Sequence, residues 1–265
     1  MARSTLKSIK RLIDSAQENV PVEQQFLGDL KSSIEMSSVK DARLPSKTYK
    51  PSSMNCIRSM WYQVMGTNIE IEPATYTSVG ITGSGSDIHI RIQKSIEQMR
   101  ENGFDCEYID VADFVKMRNL DNLTVVEKSG METKLYNKDL NLSFMTDGIL
   151  RYKNKYYILE LKTETGFKFN NRREVDKKHY NQGICYSISF NIPDIIFVYI
   201  SRDILDMKAF LFTPDDDMKN NVIGMITTCD DYVRTRTLPP KPDNIERLSC
   251  TYCMYKSLCE ANKSE

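Results

Sequence analysis

Apolar positions recur at different periods along this chain, and each change of period marks an element. Over residues 87–102, His89, Ile92, Ile96 and Met99 fall on one face at i, i+3, i+7 and i+10, which predicts an amphipathic helix. Gly83 and Gly85 precede that stretch, and Asn102-Gly103 offers a helix end. Residues 141–151 and 155–162 read as two strands joined by a tight Lys153-Asn154 turn. Helical spacing returns over 174–189. A continuous apolar run over 195–200 predicts a buried strand, 209–212 a second strand, and 216–236 a helix closed by Leu238-Pro239-Pro240. Helices alternating with strands over one core predict an α/β sandwich with a mixed sheet.

The first 48 residues differ from the rest. They are polar, with Leu6, Ile9 and Ile13 and then Phe26, Leu27 and Leu30 at helical spacing, and Pro45 and Pro51 punctuate the exit. The expected organisation is an N-terminal helical extension, 1–48, ahead of a main domain, 49–265.

Composition narrows the functional classes. Apolar residues make up 40% and charged residues 27% of the 265, with no run approaching a membrane span. Basic residues near the N-terminus are not followed by an apolar stretch, so a cytoplasmic location is expected. The formal net charge is zero, which argues against a protein that coats nucleic acid through bulk charge. Lysine and arginine nevertheless concentrate over 151–178, a local patch sufficient for phosphate contact or an ordinary solvated surface. Seven cysteines without a secretion signal read better as metal ligands than as a disulfide framework.

The chemistry gathers around the paired strands. Residues two apart on a strand face the same way, so Glu160 and Lys162 project together while Leu161 points into the core with its backbone carbonyl available. Asp147, on the strand opposite, can reach the same point. Paired carboxylates suit a hard cation such as Mg²⁺ or Mn²⁺, which phosphodiester hydrolysis uses to neutralise charge and acidify water. Lys162 would then orient or deprotonate the water, or stabilise developing charge. An acid and a Glu-x-Lys also occur as cross-strand surface charge. The apolar run Tyr156–Leu159 favours the site, because charges ending a buried strand need partners or a metal. His89 is either a further ligand or a hydrogen-bonded core histidine. Gln182 and Tyr186, one turn apart, either contact the scissile strand or cap a buried polar patch.

Cys250 and Cys253 form a C-x2-C pair followed by Cys259. Such a pair can hold zinc, act as a redox dithiol or bind an iron–sulfur cluster. The fourth ligand must come from elsewhere, and Cys56 is the candidate. Cys106, Cys185 and Cys229 are expected to be buried free thiols.

Taken together, these residues resemble the Cas4/AddB/Dna2-type nucleases, the iron–sulfur branch of the RecB-like PD-(D/E)xK superfamily. The resemblance rests on Cys56, on Gly85, His89 and Gln93, on Asp147, on Glu160-Leu161-Lys162, on Gln182 with Tyr186, and on Cys250, Cys253 and Cys259. It spans about residues 49 to 262. Thr146 stands where the motif's proline would be, residues 104–140 match no motif, and no phosphate loop of a helicase motor exists. The form is therefore similar to Cas4 itself or to the related exonucleases of bacteriophages.

The resemblance implies a restriction-endonuclease-like core with a mixed central sheet flanked by helices and an iron–sulfur staple. It implies a Mg²⁺- or Mn²⁺-dependent DNA exonuclease acting on single-stranded ends in recombination, repair or processing. His89, Asp147, Glu160 and the Leu161 carbonyl would ligate the ion, Lys162 would act on the water, and Gln182 and Tyr186 would complete the catalytic set. Cys56, Cys250, Cys253 and Cys259 would hold a 4Fe-4S cluster. Arg58, Lys168, Arg172, Arg173, Lys177 and Lys178 would contact phosphates, and Tyr252 and Tyr255 would stack bases or shield the cluster. The expected partners are DNA and either further copies of the chain or a recombination or adaptation complex, with no membrane. The alternative is an adaptor that holds DNA ends in a recombination or spacer-acquisition complex with little turnover.

Overall fold

In the computed structural model, residues 20–40, 46–69, 74–241, 250 and 253–261 are described. The chain divides into two compact units, Met1–Arg43 with Glu70–Gly83, and Leu44–Ile69 with Ser84–Glu265. Leu6, Ile9, Ile13 and Tyr252 lie outside the described residues.

In the first unit, helix α1 (Val22–Lys40) carries the predicted Phe26, Leu27 and Leu30, all exposed. Glu35 accepts a hydrogen bond from the Tyr76 amide at 3.0 Å, and Lys31 lies 4.7 Å from the centre of the Tyr76 ring.

The second unit begins with a 3₁₀ turn (Pro51–Ser53) and then α2 (Ile57–Val64). Helix α3 (Tyr76–Glu97) has its residues from Ser84 onward in this unit. Then come β1 (Cys106–Ile109), α4 (Val111–Met117), β2 (Leu123–Ser129), β3 (Glu132–Asn137), β4 (Leu142–Thr146), β5 (Gly148–Tyr152) and β6 (Lys155–Glu164). The chain continues through α5 (Gly166–Asn171), a 3₁₀ turn (Lys177–His179), α6 (Tyr180–Phe190), β7 (Ile195–Ser201), β8 (Met207–Phe212), α7 (Asp216–Thr235) and α8 (Lys256–Ala261). Local signals set several boundaries. Asp215 caps α7 by accepting from the Met218 amide, and Asp216 and Asp217 lie in its first turn, where the helix dipole favours them. Arg236 ends that helix in the left-handed region.

The central sheet runs β1-β5-β6-β7-β8, and β2-β3-β4 form a second sheet. β6 and β7 pair in parallel, whereas the other neighbours are antiparallel, so the central sheet is mixed as predicted. Alternation along β6 builds two cores. Leu159 and Leu161 meet Ile88 and Ile92 of α3 on one face, while Ile158 joins Ile184, Phe190 and Phe197 on the face covered by α6.

Three sequence expectations are corrected. The helix predicted over 87–102 begins at Tyr76 and takes Gly80, Gly83 and Gly85 into its interior. At Gly85 the reason is close approach, because a Cβ there would stand 3.2 Å from the Thr163 hydroxyl of β6. The strand predicted over 141–151 is two strands of different sheets, parted at Asp147. Gly148 makes that break, with φ at +154° and the Tyr108 ring so near that a Cβ would lie 2.5 Å from it. The helix predicted over 174–189 begins at Tyr180, because Asp176 caps the short 3₁₀ turn before it. The Lys153-Asn154 turn is as expected, both residues having positive φ in a two-residue hairpin loop.

Candidate active site

The end of β5 is where the two faces of the central sheet become accessible to one point. Asp147 stands there, at the switch between sheets. The β5–β6 pairing stops at Gly148↔Leu159, so β6 continues past it with an open edge. Asp147 takes the place of the missing strand, its Oδ2 accepting the Leu161 amide at 2.7 Å. The N–H and C=O of one strand residue point to the same side, so the Leu161 carbonyl also faces Asp147 and has no ladder partner on that edge.

From the α3 face, His89 Nδ1 lies 3.0 Å from Asp147 Oδ1. Burial opposes a charge on this imidazole, but the Asp147 hydrogen bond and charge outweigh it and hold the group above its ordinary value. Gln93, one turn on, donates to the Asp147 carbonyl at 2.7 Å, and the Tyr108 hydroxyl donates to the same oxygen at 2.8 Å. The Asp147 main chain is thus fixed from two elements. Sequence reasoning passed over Tyr108 because the 104–140 stretch carries no local motif. Gln93 was named in the sequence through the family resemblance, with Gly85 and His89.

From the α6 face come Glu160 and Lys162. Lys162 Nζ donates to Glu160 Oε1 at 2.5 Å and to Gln182 Oε1 at 2.9 Å. Gln182 Nε2 donates to Glu160 Oε1 at 2.7 Å and to the Tyr186 hydroxyl at 2.8 Å, and Tyr186 donates to the Met145 carbonyl at 2.7 Å. Both Gln182 amide protons and the Tyr186 hydroxyl have acceptors, which fixes the Gln182 amide orientation. The Lys162 ammonium keeps one N–H beyond these two bonds. Glu160 is 3% exposed, and burial lifts its carboxyl to about 7, the Asp147 charge adding to the effect and Lys162 opposing it.

The motif residues His89, Asp147, Glu160, Leu161, Lys162, Gln182 and Tyr186 therefore share one end of the sheet. They are held by protein partners: among the described residues, no three or more His, Cys, Asp or Glu converge as a metal-ion cage.

A cavity of about 1070 Å³ opens beside Lys162 and Gln182. Cys56, Cys250, Cys253 and Cys259 all line it, and all are free thiols. Burial raises the Cys56 thiol, while the Ser59 and Arg58 amides at the start of α2 donate to it and work the other way. Cys253 Sγ lies 3.8 Å from the Ser59 hydroxyl, so the tail meets the same helix end. The four thiols share this cavity, and among the described residues no three or more of them gather as a metal-binding group. Tyr255 is buried and stacked on Tyr62 at 5.4 Å, which makes it a wall residue and withdraws it from base stacking. Cys106, Cys185 and Cys229 are buried free thiols as expected.

The expected phosphate contacts divide. Lys168, Arg173 and Lys178 line the cavity and are exposed, whereas Arg58 lines it but is buried, and Lys177 is exposed outside its lining. Arg172 differs in kind. Its guanidinium grips both Glu164 oxygens at 2.7 and 3.2 Å, reaches Asp176 at 3.2 Å, and lies 4.4 Å from the centre of the Tyr199 ring. These contacts tie the 165–179 segment to β6 and β7. The bidentate pair had no sequence signal, because Glu164 lies past the motif and Arg172 sat among other basic residues.

Among the described residues, no helix is long and apolar enough to cross a membrane. No family model and no curated protein matches the chain. Among solved structures, the crystal structure of SSO0001 aligns with a TM-score of 0.48 at 15% identity, covering 89% of this chain and 98% of that one. An alkaline exonuclease, LHK-Exo from Laribacter hongkongensis, aligns at 0.43 with 9% identity, over 72% of this chain and 90% of that one. The same enzyme in complex with dAMP aligns at 0.42 with 11% identity over the same shares.

Proposed function

We propose that this chain is a Mg²⁺- or Mn²⁺-dependent deoxyribonuclease that hydrolyses phosphodiester bonds at single-stranded DNA ends. The observation that carries the reading is the meeting of Asp147, Glu160 and Lys162 at one sheet end, with Gln182 ordering the last two. A surface hairpin has no need to bury Glu160 or to hold Lys162 between two acceptors.

The residues fit a hard cation. Two carboxylates repel each other here, one of them buried, and a divalent cation held by them would offset that repulsion. Asp147, Glu160, the Leu161 carbonyl and His89 are the oxygen and nitrogen donors that would hold it. The ion, when bound, neutralises charge at phosphorus and acidifies a water. Lys162 directs its remaining N–H toward the incoming water or the phosphoryl oxygens, because Glu160 and Gln182 fix the other two. Gln182 and Tyr186 keep the Glu160 carboxylate from turning away. Lys168, Arg173 and Lys178 at the cavity supply charge for the strand's phosphates. The four cavity thiols suit an iron–sulfur cluster in chemistry and number, and such a cluster would tie the α2 start to the tail.

The test is degradation of end-labelled single-stranded DNA by anaerobically purified protein in Mn²⁺, Mg²⁺ or EDTA, beside Asp147→Ala. Metal-dependent loss of label in the parent and none in the variant is expected. Equal rates for the two would refute the assigned site, and DNA binding without cleavage in either metal would favour the end-holding adaptor.

A further inference from the structure

Lys162 and Tyr199 stand opposite each other in the parallel β6–β7 register and so project on the same face. Over them lies His179, its ring stacked on Tyr199 and Phe197 with centroids 5.8 and 6.3 Å apart, and it lines the same cavity as Lys162 and Gln182. This histidine belongs to none of the residues assigned above.

Its hydrogen bonds define its chemistry. His179 Nδ1 lies 2.9 Å from the Tyr199 hydroxyl, and that hydroxyl already accepts the Asp176 amide at 3.0 Å. Tyr199 is completely buried, and Nδ1 is the acceptor available to its proton among the described residues. The hydroxyl therefore donates to Nδ1, which leaves the ring's single proton on Nε2. With Nδ1 turned inward to Tyr199, the edge left for the cavity carries the Nε2–H, and no described residue accepts from it.

The charged groups around it keep the ring neutral. Burial, then Lys162 and Lys178, push it down to about 3 against the opposing pull of Asp176, with Arg172 acting in the same sense as the lysines. A second cation beside Lys162 would repel it. A neutral N–H adds a donor without that repulsion.

We propose that His179 is a substrate-contacting residue, presenting a fixed, neutral Nε2–H to a phosphodiester oxygen held beside Lys162. This rests on the nuclease reading above, and it gives the site a donor that works unchanged across neutral pH.

Two measurements test it. The chain contains two histidines, so long-range ¹H–¹⁵N spectra of labelled protein, assigned with a His89→Gln variant, report His179 directly. The Nε2–H tautomer with no protonation between pH 8 and pH 5 is expected; an Nδ1–H tautomer, or protonation in that range, overturns the proposal. The second measurement is kcat/KM for Mn²⁺-dependent degradation of single-stranded DNA. His179→Phe keeps the stacked ring but removes the N–H, and a loss of roughly 10- to 100-fold is expected for a hydrogen bond to a charged group. His179→Gln, whose amide N–H reaches a similar place, is expected within roughly fivefold of the parent. A Phe variant at the parent rate, or a Gln variant as slow as Phe, overturns the assignment. Should the Phe variant fail to fold, Tyr199→Phe serves instead, with an expected mixture of His179 tautomers and a loss of about tenfold. Unchanged tautomer and rate there overturn it. A parent as inert as Asp147→Ala overturns the nuclease reading and this proposal with it, whereas a cutting parent with an unimpaired Phe variant overturns this proposal alone.

Discussion

Glu160→Gln probes the electrostatic state of the site without any substrate. In the parent the carboxyl is enclosed between β6 and α6, and its burial lifts it from the ordinary 4.5 to about 7. The folded protein therefore binds this proton more tightly than the unfolded chain does. The contribution of this group to stability is greatest below pH 4.5, falls as the pH rises from 4.5 to about 7, and is level above. At about 1.4 kcal/mol per pH unit, ionising the group in the fold costs on the order of 3 kcal/mol by pH 8. His89, held above its ordinary value, contributes in the same direction, so the parent alone does not isolate Glu160. Glutamine keeps the oxygen that accepts from Lys162 and Gln182 and removes the proton. Urea unfolding in EDTA at intervals from pH 4.5 to 8 is expected to show the parent losing about 3 kcal/mol more than the variant. Mn²⁺ at pH 8 should restore about 2–3 kcal/mol to the parent near 100-fold saturation, and less to the variant. Parallel pH profiles for the two proteins would refute the reasoning.

Other perturbations separate packing from chemistry. Gly148→Ala forces a side chain against the Tyr108 ring at a φ that favours glycine, and a loss of roughly 2–5 kcal/mol is expected by denaturant unfolding. Arg172→Ala leaves Glu164 buried without its bidentate partner and is expected to cost about 3–5 kcal/mol, much of it recovered when Glu164→Gln is added. Gln182→Leu removes the group that orders Lys162 and Glu160, so kcat should fall roughly 10- to 100-fold with KM changed far less in steady-state assays. Cys56→Ser is expected to abolish iron and sulfide retention on anaerobic purification; a parent that carries zinc and little iron would refute the cluster.

Much of the site was legible in the chain because its parts follow local rules. The two-residue period of a strand dictates that Glu160 and Lys162 face one way and Leu161 the other, and the structure has the first two against Gln182 of α6 and Leu161 packed with Ile88 of α3. The 3.6-residue period put His89 on the face shared with Ile92 and Ile96, and that face packs toward β6. The helix over 216–236 and the Lys153-Asn154 hairpin were readable for the same reason: helix stops and tight turns depend on a few adjacent residues.

What only the tertiary structure decided are the contacts between distant segments. Gly148 marks a weak point within 141–151, but nothing local says that the two halves join separate sheets. The break at Asp147 depends on Tyr108, a residue 39 positions away that sits against Gly148 and bonds the Asp147 carbonyl. Arg172 looked like another basic residue of a phosphate-binding patch until Glu164 and Tyr199 enclosed it. His179 had no periodic or motif signal, because its tautomer is set by a tyrosine two elements later in the chain. Sequence periodicity fixes which way a side chain points, since backbone geometry repeats. Which groups it then meets depends on strand register and on close approach between segments, and that is settled only when the sheet is assembled.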